Sequence, residues 1–140
     1  MRKNLIIVLL SVAILALGNS CKTHKSADSQ ATVEGSWMVT AMYGNSIEDV
    51  DFMRGSPSII FQDSSSFSGS TGCNQYSAKF LEGEFGIKIT IGPMTKMACP
   101  GEEENVFIKA LSETNRIKRE KETMLFFHGD KEVLRFAKAL

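Results

Sequence analysis

The sequence predicts an α+β fold: an antiparallel sheet, curled or barrel-like, of about seven or eight short strands with one late helix. Three observations predict it. Apolar and polar residues alternate with period two in several short runs, the pattern of strands with one wet and one buried side. Glycine, proline and asparagine punctuate those runs at short intervals. A single late stretch, residues 102–116, carries its apolar residues at helical spacing instead. An open two-layer sandwich would show the same alternation, so patterning alone does not decide whether the sheet closes.

The first strand is Trp37, Val39, Ala41 and Tyr43 alternating with Met38, Thr40 and Met42, ended by Gly44-Asn45-Ser46. A second, Ser58 to Phe61, opens after Pro57. Two more, Phe67–Thr71 and Gln75–Phe80, join around Gly72-Cys73-Asn74. The clearest alternation sets Phe85, Ile87, Ile89 and Ile91 against Gly86, Lys88, Thr90 and Gly92, placing all four large side chains on one buried face. Thr123–His128 and Val133–Ala137 flank Gly129-Asp130-Lys131-Glu132 as a hairpin. The helix is expected from Glu102 to Arg116, with Val106, Phe107, Ala110, Leu111 and Thr114 on its apolar stripe, continuing to Ile117. Pro100-Gly101 turns the chain into it. Glu102, Glu103 and Glu104 fall in its first turn, where the helix dipole favours negative charge, and are expected to be solvated there.

Ahead of this domain, residues 1–20 read as a signal peptide. Arg2 and Lys3 precede the apolar run Leu5–Leu17, and Gly18-Asn19-Ser20 follow as small or polar residues. The run is shorter than the roughly 20 apolar residues that span a membrane. Residues 21–33 are polar and without periodicity, a flexible tether, leaving 34–140 as the folded domain. His24 lies in that tether, where one histidine lacks the fixed partners of a metal site. Sixteen basic and 16 acidic residues give a net charge of zero. Loss of Arg2 and Lys3 tips the mature chain slightly acidic, so nucleic acid is not an expected partner.

The segment Leu17-Gly18-Asn19-Ser20-Cys21 resembles a bacterial lipobox, in which the cysteine is lipidated and becomes the mature N-terminus. The resemblance implies lipid attachment at Cys21 and an exported lipoprotein held in the cell envelope, at the periplasmic side of the outer membrane. A membrane is then the first partner. Two acyl signals anchor durably where one chain is marginal.

Cys73 and Cys99 remain, and an even pair in an exported domain reads first as a disulfide. A reactive thiol is the alternative and needs a neighbouring base, which no Cys/His signature supplies. The same residues carry a family resemblance. Phe67-Ser68-Gly69-Ser70-Thr71-Gly72-Cys73-Asn74-Gln75-Tyr76 and Thr95-Lys96-Met97-Ala98-Cys99-Pro100 resemble the two signature stretches of the META domain family. Gly35-Ser36-Trp37 fits its opening strand, Phe107 and Leu111 its helix, and Leu125 with Leu134-Arg135-Phe136 its closing hairpin. The resemblance implies a barrel-like α+β fold, a Cys73–Cys99 pair, and a structural role for Gly69, Gly72, Cys73, Asn74, Thr95, Met97 and Cys99. It also implies an exported, non-enzymatic protein with a binding or stress-tolerance role.

Other chemistry has no carrier in the sequence. It lacks the dinucleotide and phosphate-loop glycine patterns, His-Glu-x-x-His and paired Cys-x-x-Cys, so no cofactor, metal or catalytic residue is expected. Ser64-Ser65-Ser66 is a polar loop, and His128 a hairpin-edge residue. Arg116, Lys118, Arg119 and Lys121 read as a solvated end of the helix entering the next strand. Of the seven methionines, Met38, Met42, Met53, Met94, Met97 and Met124 are expected to fill core, with a copper(I) or adaptable binding surface as the alternative. The partner is an unidentified envelope protein or, alternatively, a small apolar or lipid ligand carried inside the barrel.

Overall fold

A computed structural model describes residues 35–139. In chain order the elements are β1 (Gly35–Met42), β2 (Asn45–Ser46), β3 (Ser58–Phe61), β4 (Ser66–Ser70), β5 (Gln75–Gly83), β6 (Gly86–Met94), α1 (Glu103–Glu113), β7 (Arg116–Glu120), β8 (Thr123–His128) and β9 (Lys131–Lys138). The strands form one antiparallel sheet in the order β6-β5-β4-β3-β1-β9-β8-β7, with β2 folded back on β1. The expected α+β class holds, with nine strands among the described residues rather than seven or eight. The sheet curls without closing. At one point β6 reaches the residue that precedes β7, where the Ile87 N–H donates to the Asn115 carbonyl at 2.8 Å. The predicted signal peptide, tether and Cys21 lie outside the described residues.

Each inner face follows the predicted alternation where the core is deep. Trp37, Ile59, Phe67, Phe126 and Phe136 are fully buried, and α1 lays Phe107, Ala110 and Leu111 against them. Aromatic pairs from Phe61, Phe67, Tyr76, Phe80 and Phe107 stand with centroids 5.6–6.2 Å apart, in tilted or edge-on arrangements. The interior that an apolar ligand would occupy is thus filled by rings. Tyr76 donates its hydroxyl to the Ser58 carbonyl at 3.1 Å, and burial raises its pKa well above that of an ordinary phenol. Among the described residues no helix is long and apolar enough to cross a membrane.

Four expectations need correction. The β1 alternation does not run through: a bulge between Val39 and Ala41 shifts the buried side, so Met42 is buried while Ala41 and Tyr43 are only half-buried. Phe85 is 93% exposed, because it falls in the β5–β6 turn just outside both strands. The helix stops at Glu113: Thr114 turns extended, donates its hydroxyl to the Ala110 carbonyl at 2.8 Å, and leads directly into β7. The basic run is therefore strand rather than helix end. Lys118 pairs with Glu120 and Arg116 approaches Asp130, so this edge presents charges that discourage pairing with another sheet. His128 sits beyond the helix with Nδ1 2.8 Å from the Glu113 carbonyl, serving the helix terminus. Lastly, Met42 and Met124 fill core as expected, but Met53 and Met97 are exposed.

Two positions test the packing. Gly69 passes so close beneath β3 that a Cβ there would overlap the Ser58 carbonyl oxygen. Because that neighbour is backbone, Gly69→Ala is expected to cost about 1–3 kcal/mol or more; thermal unfolding measures it, and an unchanged midpoint contradicts the close approach. In the Ser64-Ser65-Ser66 loop, Asp63 accepts from the Ser66 hydroxyl at 2.6 Å and from the Ser65 N–H and hydroxyl at 2.7 and 2.8 Å. These bonds, Ser66 foremost, lower its carboxyl to about 2. The folded value lies below the unfolded one near 3.9, so the loop's contribution is present above that value and lost as pH falls through about 2. An NMR titration is expected to show this midpoint, and Ser66→Ala to move it upward; an ordinary midpoint in the unaltered protein contradicts the loop's bonding.

Candidate functional site

The β4–β5 connection, Thr71-Gly72-Cys73-Asn74, is a tight turn. The Thr71 N–H donates to the Asn74 carbonyl at 2.8 Å, while the Thr71 hydroxyl oxygen accepts from the Asn74 and Cys73 amides at 2.8 and 3.2 Å. Gly72 takes φ +89°, and a Cβ on it would strike the Phe52 ring, so glycine is required twice over. The turn points its asparagine inward, where Asn74 is 2% exposed.

Asn74 joins three parts of the chain. Its Oδ1 accepts from the Met97 N–H at 2.7 Å and from the Thr95 hydroxyl at 2.8 Å. Its Nδ2 donates to the Met97 carbonyl at 3.2 Å and to both oxygens of Glu104 at 3.0 and 3.1 Å, with the Cys73 sulfur at 3.2 Å. The segment after β6 is thereby stitched to the turn. Cys73 and Cys99 complete the join as a disulfide across 26 residues, their Cα atoms 6.2 Å apart, within the ordinary span. Gly72, Cys73, Asn74, Thr95, Met97 and Cys99 thus converge as one cluster, while Gly69 works separately beneath β3.

Glu104 was not among the expected site residues. Rather than being solvated with its acidic neighbours, it also accepts from the Thr71 hydroxyl at 2.5 Å. Periodicity narrows the choice without making it: Glu103 and Glu104 both stand at helical spacing from Phe107, and the turn meets the second of them. Glu102, by contrast, is the N-cap position, with no side-chain cap bond.

Beside the disulfide lies a depression of about 380 Å³, lined by Phe52, Met53, Met97 and Cys99 among others, with Asp51, Glu103 and Glu104 as its acids and no histidine. The Met53 Sδ lies 3.7 Å from the Cys99 Sγ, and Arg54 approaches the Met97 Sδ at 3.6 Å. Among the described residues no group of three His, Cys, Asp or Glu side chains gathers as a metal site. What this arrangement does chemically is hold two loops together: the sulfurs are bonded to one another, and both ends of the Asn74 amide are engaged.

The model of the family described as META domain matches residues 30–139. Two solved structures are similar in fold. One is a crystal structure of a DUF4847 family protein from Bacteroides vulgatus, with a TM-score of 0.57 at 19% identity, covering 77% of this chain and 94% of the other. The second is an NMR structure of a protein from Burkholderia xenovorans, with a TM-score of 0.55 at 18% identity, covering 76% and 82%. None of the curated proteins matches.

Proposed function

We propose, from the premise that this chain belongs to the META domain family, that it is an exported envelope lipoprotein whose domain acts by binding rather than by catalysis. The observation that supports this reading is the state of the family's signature residues. Their polar groups are engaged with one another around Asn74, and their sulfurs with each other, which leaves no free thiol in the cluster. A domain so built serves as a rigid body that presents a surface, here to an envelope partner under stress. Cys21 carries the lipid that holds the domain at the membrane.

The intact mass of the membrane-extracted protein tests the reading. The expected mass lacks residues 1–20 and carries a diacylglyceryl group and an amide-linked acyl chain on Cys21, and the Cys21→Ala chain is released from membranes. An unmodified Cys21, or a Cys21→Ala chain still membrane-bound after high-salt extraction, overturns it.

A further inference from the structure

Three sulfurs meet at the rim of the depression: Cys73, Cys99 and the thioether of Met53. We propose that opening the Cys73–Cys99 disulfide turns this corner into a site for one cuprous ion, held by the two cysteine sulfurs and Met53. Two sulfur ligands sharing a metal at bonds of about 2.3 Å stand roughly 3.8–4.0 Å apart. Met53 Sδ already lies 3.7 Å from Cys99 Sγ. Thiolate and thioether together select soft cuprous copper over the hard divalent cations.

The site survives loss of the sulfur–sulfur bond because that bond is not what positions the cysteines. Asn74 grips the N–H and the carbonyl of Met97, two residues before Cys99, and follows Cys73 directly in sequence. With the disulfide open, both sulfurs stay on the same wall. Access is in place: Cys99 is half-buried and Met53 is 59% exposed, whereas Cys73 is 4% exposed and shielded. The charge also fits, since Asp51, Glu103 and Glu104 line the depression and no lysine does. Arg54 is turned to Met97, and Met97 is accordingly left out of the ligand set.

The chemistry balances with an external dithiol as reductant. It gives two electrons and two protons to the disulfide, becoming a disulfide itself and leaving Cys73 and Cys99 as thiols. Cuprous ion then displaces both thiol protons to solvent, without changing its own oxidation state. None of this depends on lipid at Cys21, so the proposal and the anchoring reading fail independently.

The test uses the Cys21→Ala full chain, which keeps only the two relevant cysteines. It is reduced with a phosphine without oxygen and titrated with cuprous ion against a chromophoric cuprous chelator. One copper per reduced chain is expected and none per oxidised chain, with sulfur neighbours at about 2.3 Å in X-ray absorption. Cys99→Ser is expected to abolish the site. Met53→Leu, at an exposed position, is expected to leave thermal unfolding unchanged and to weaken binding by at least about tenfold, the usual minimum even for residues behind a ligand. Equal binding by oxidised and reduced chains, unaltered affinity in Met53→Leu, or loss of the aromatic near-ultraviolet dichroism on reduction alone would each overturn the proposal.

Discussion

Replacing Asn74 with alanine is expected to lower the stability of the domain by about 3–5 kcal/mol, among the largest losses any single side chain here can cause. The side chain is buried and its two ends serve different loops, so its removal strands several groups at once. The Met97 N–H loses the acceptor at 2.7 Å, the Met97 carbonyl loses its donor, and the Glu104 carboxylate keeps only the Thr71 hydroxyl. Each buried group left unpaired costs roughly 1–3 kcal/mol. Asn74→Asp is expected to fare no better, since it places a second carboxylate against Glu104. Glu104→Gln in that background restores a donor facing an acceptor, so the double variant is expected to recover stability relative to Asn74→Asp. Denaturant unfolding of the unaltered protein, Asn74→Asp, Glu104→Gln and the double variant reads the coupling directly. Strict additivity would mean that the contact between positions 74 and 104 contributes nothing.

The paired replacement of Cys73 and Cys99 by alanine carries the second large effect. Opening a loop closed across 26 residues releases denatured-chain entropy worth about 3.5 kcal/mol. A drop of roughly 10–15 °C in the unfolding midpoint follows for a domain of this size. Typical domain stabilities of about 5–15 kcal/mol leave the alanine pair folded. Added to Asn74→Ala, the same replacement is expected to unfold the chain, because the two losses together match a typical domain stability and leave only the Gln75–Thr95 bonds between the end of the turn and the 95–99 segment. An alanine pair that melts with the unaltered protein would show that the bond constrains nothing the other contacts do not already fix.

Much of the sheet was legible because its strands are half-buried and alternation survives wherever one face meets the core, as in Gln75–Phe80 and Ile87–Ile91. Legibility failed where tertiary geometry decides. Phe85 keeps the parity of a core residue but lies past the end of the packed layer. At β1 one inserted residue between Val39 and Ala41 changes the face, and no composition marks a bulge. β7 reads as charged helix end because an edge strand has few buried positions to announce it: only Ile117 and Arg119 are half-buried between exposed neighbours. The paired cysteines and the signature stretches around them were legible as a unit. Glu104 was not, since three successive glutamates look alike in sequence and Glu103 and Glu104 both stand at helical spacing from Phe107; only the tertiary placement of the Thr71–Asn74 turn picks out Glu104.

The most direct test of the clamp is hydrogen exchange at the Met97 amide, followed in the oxidised and in the reduced protein. Its bond to Asn74 Oδ1 is independent of the sulfurs, so strong protection is expected in both states, and only Asn74→Ala should abolish it. A Met97 amide that exchanges freely once Cys73 and Cys99 are reduced would contradict the account, leaving the disulfide, and not the asparagine, as what holds the two loops together.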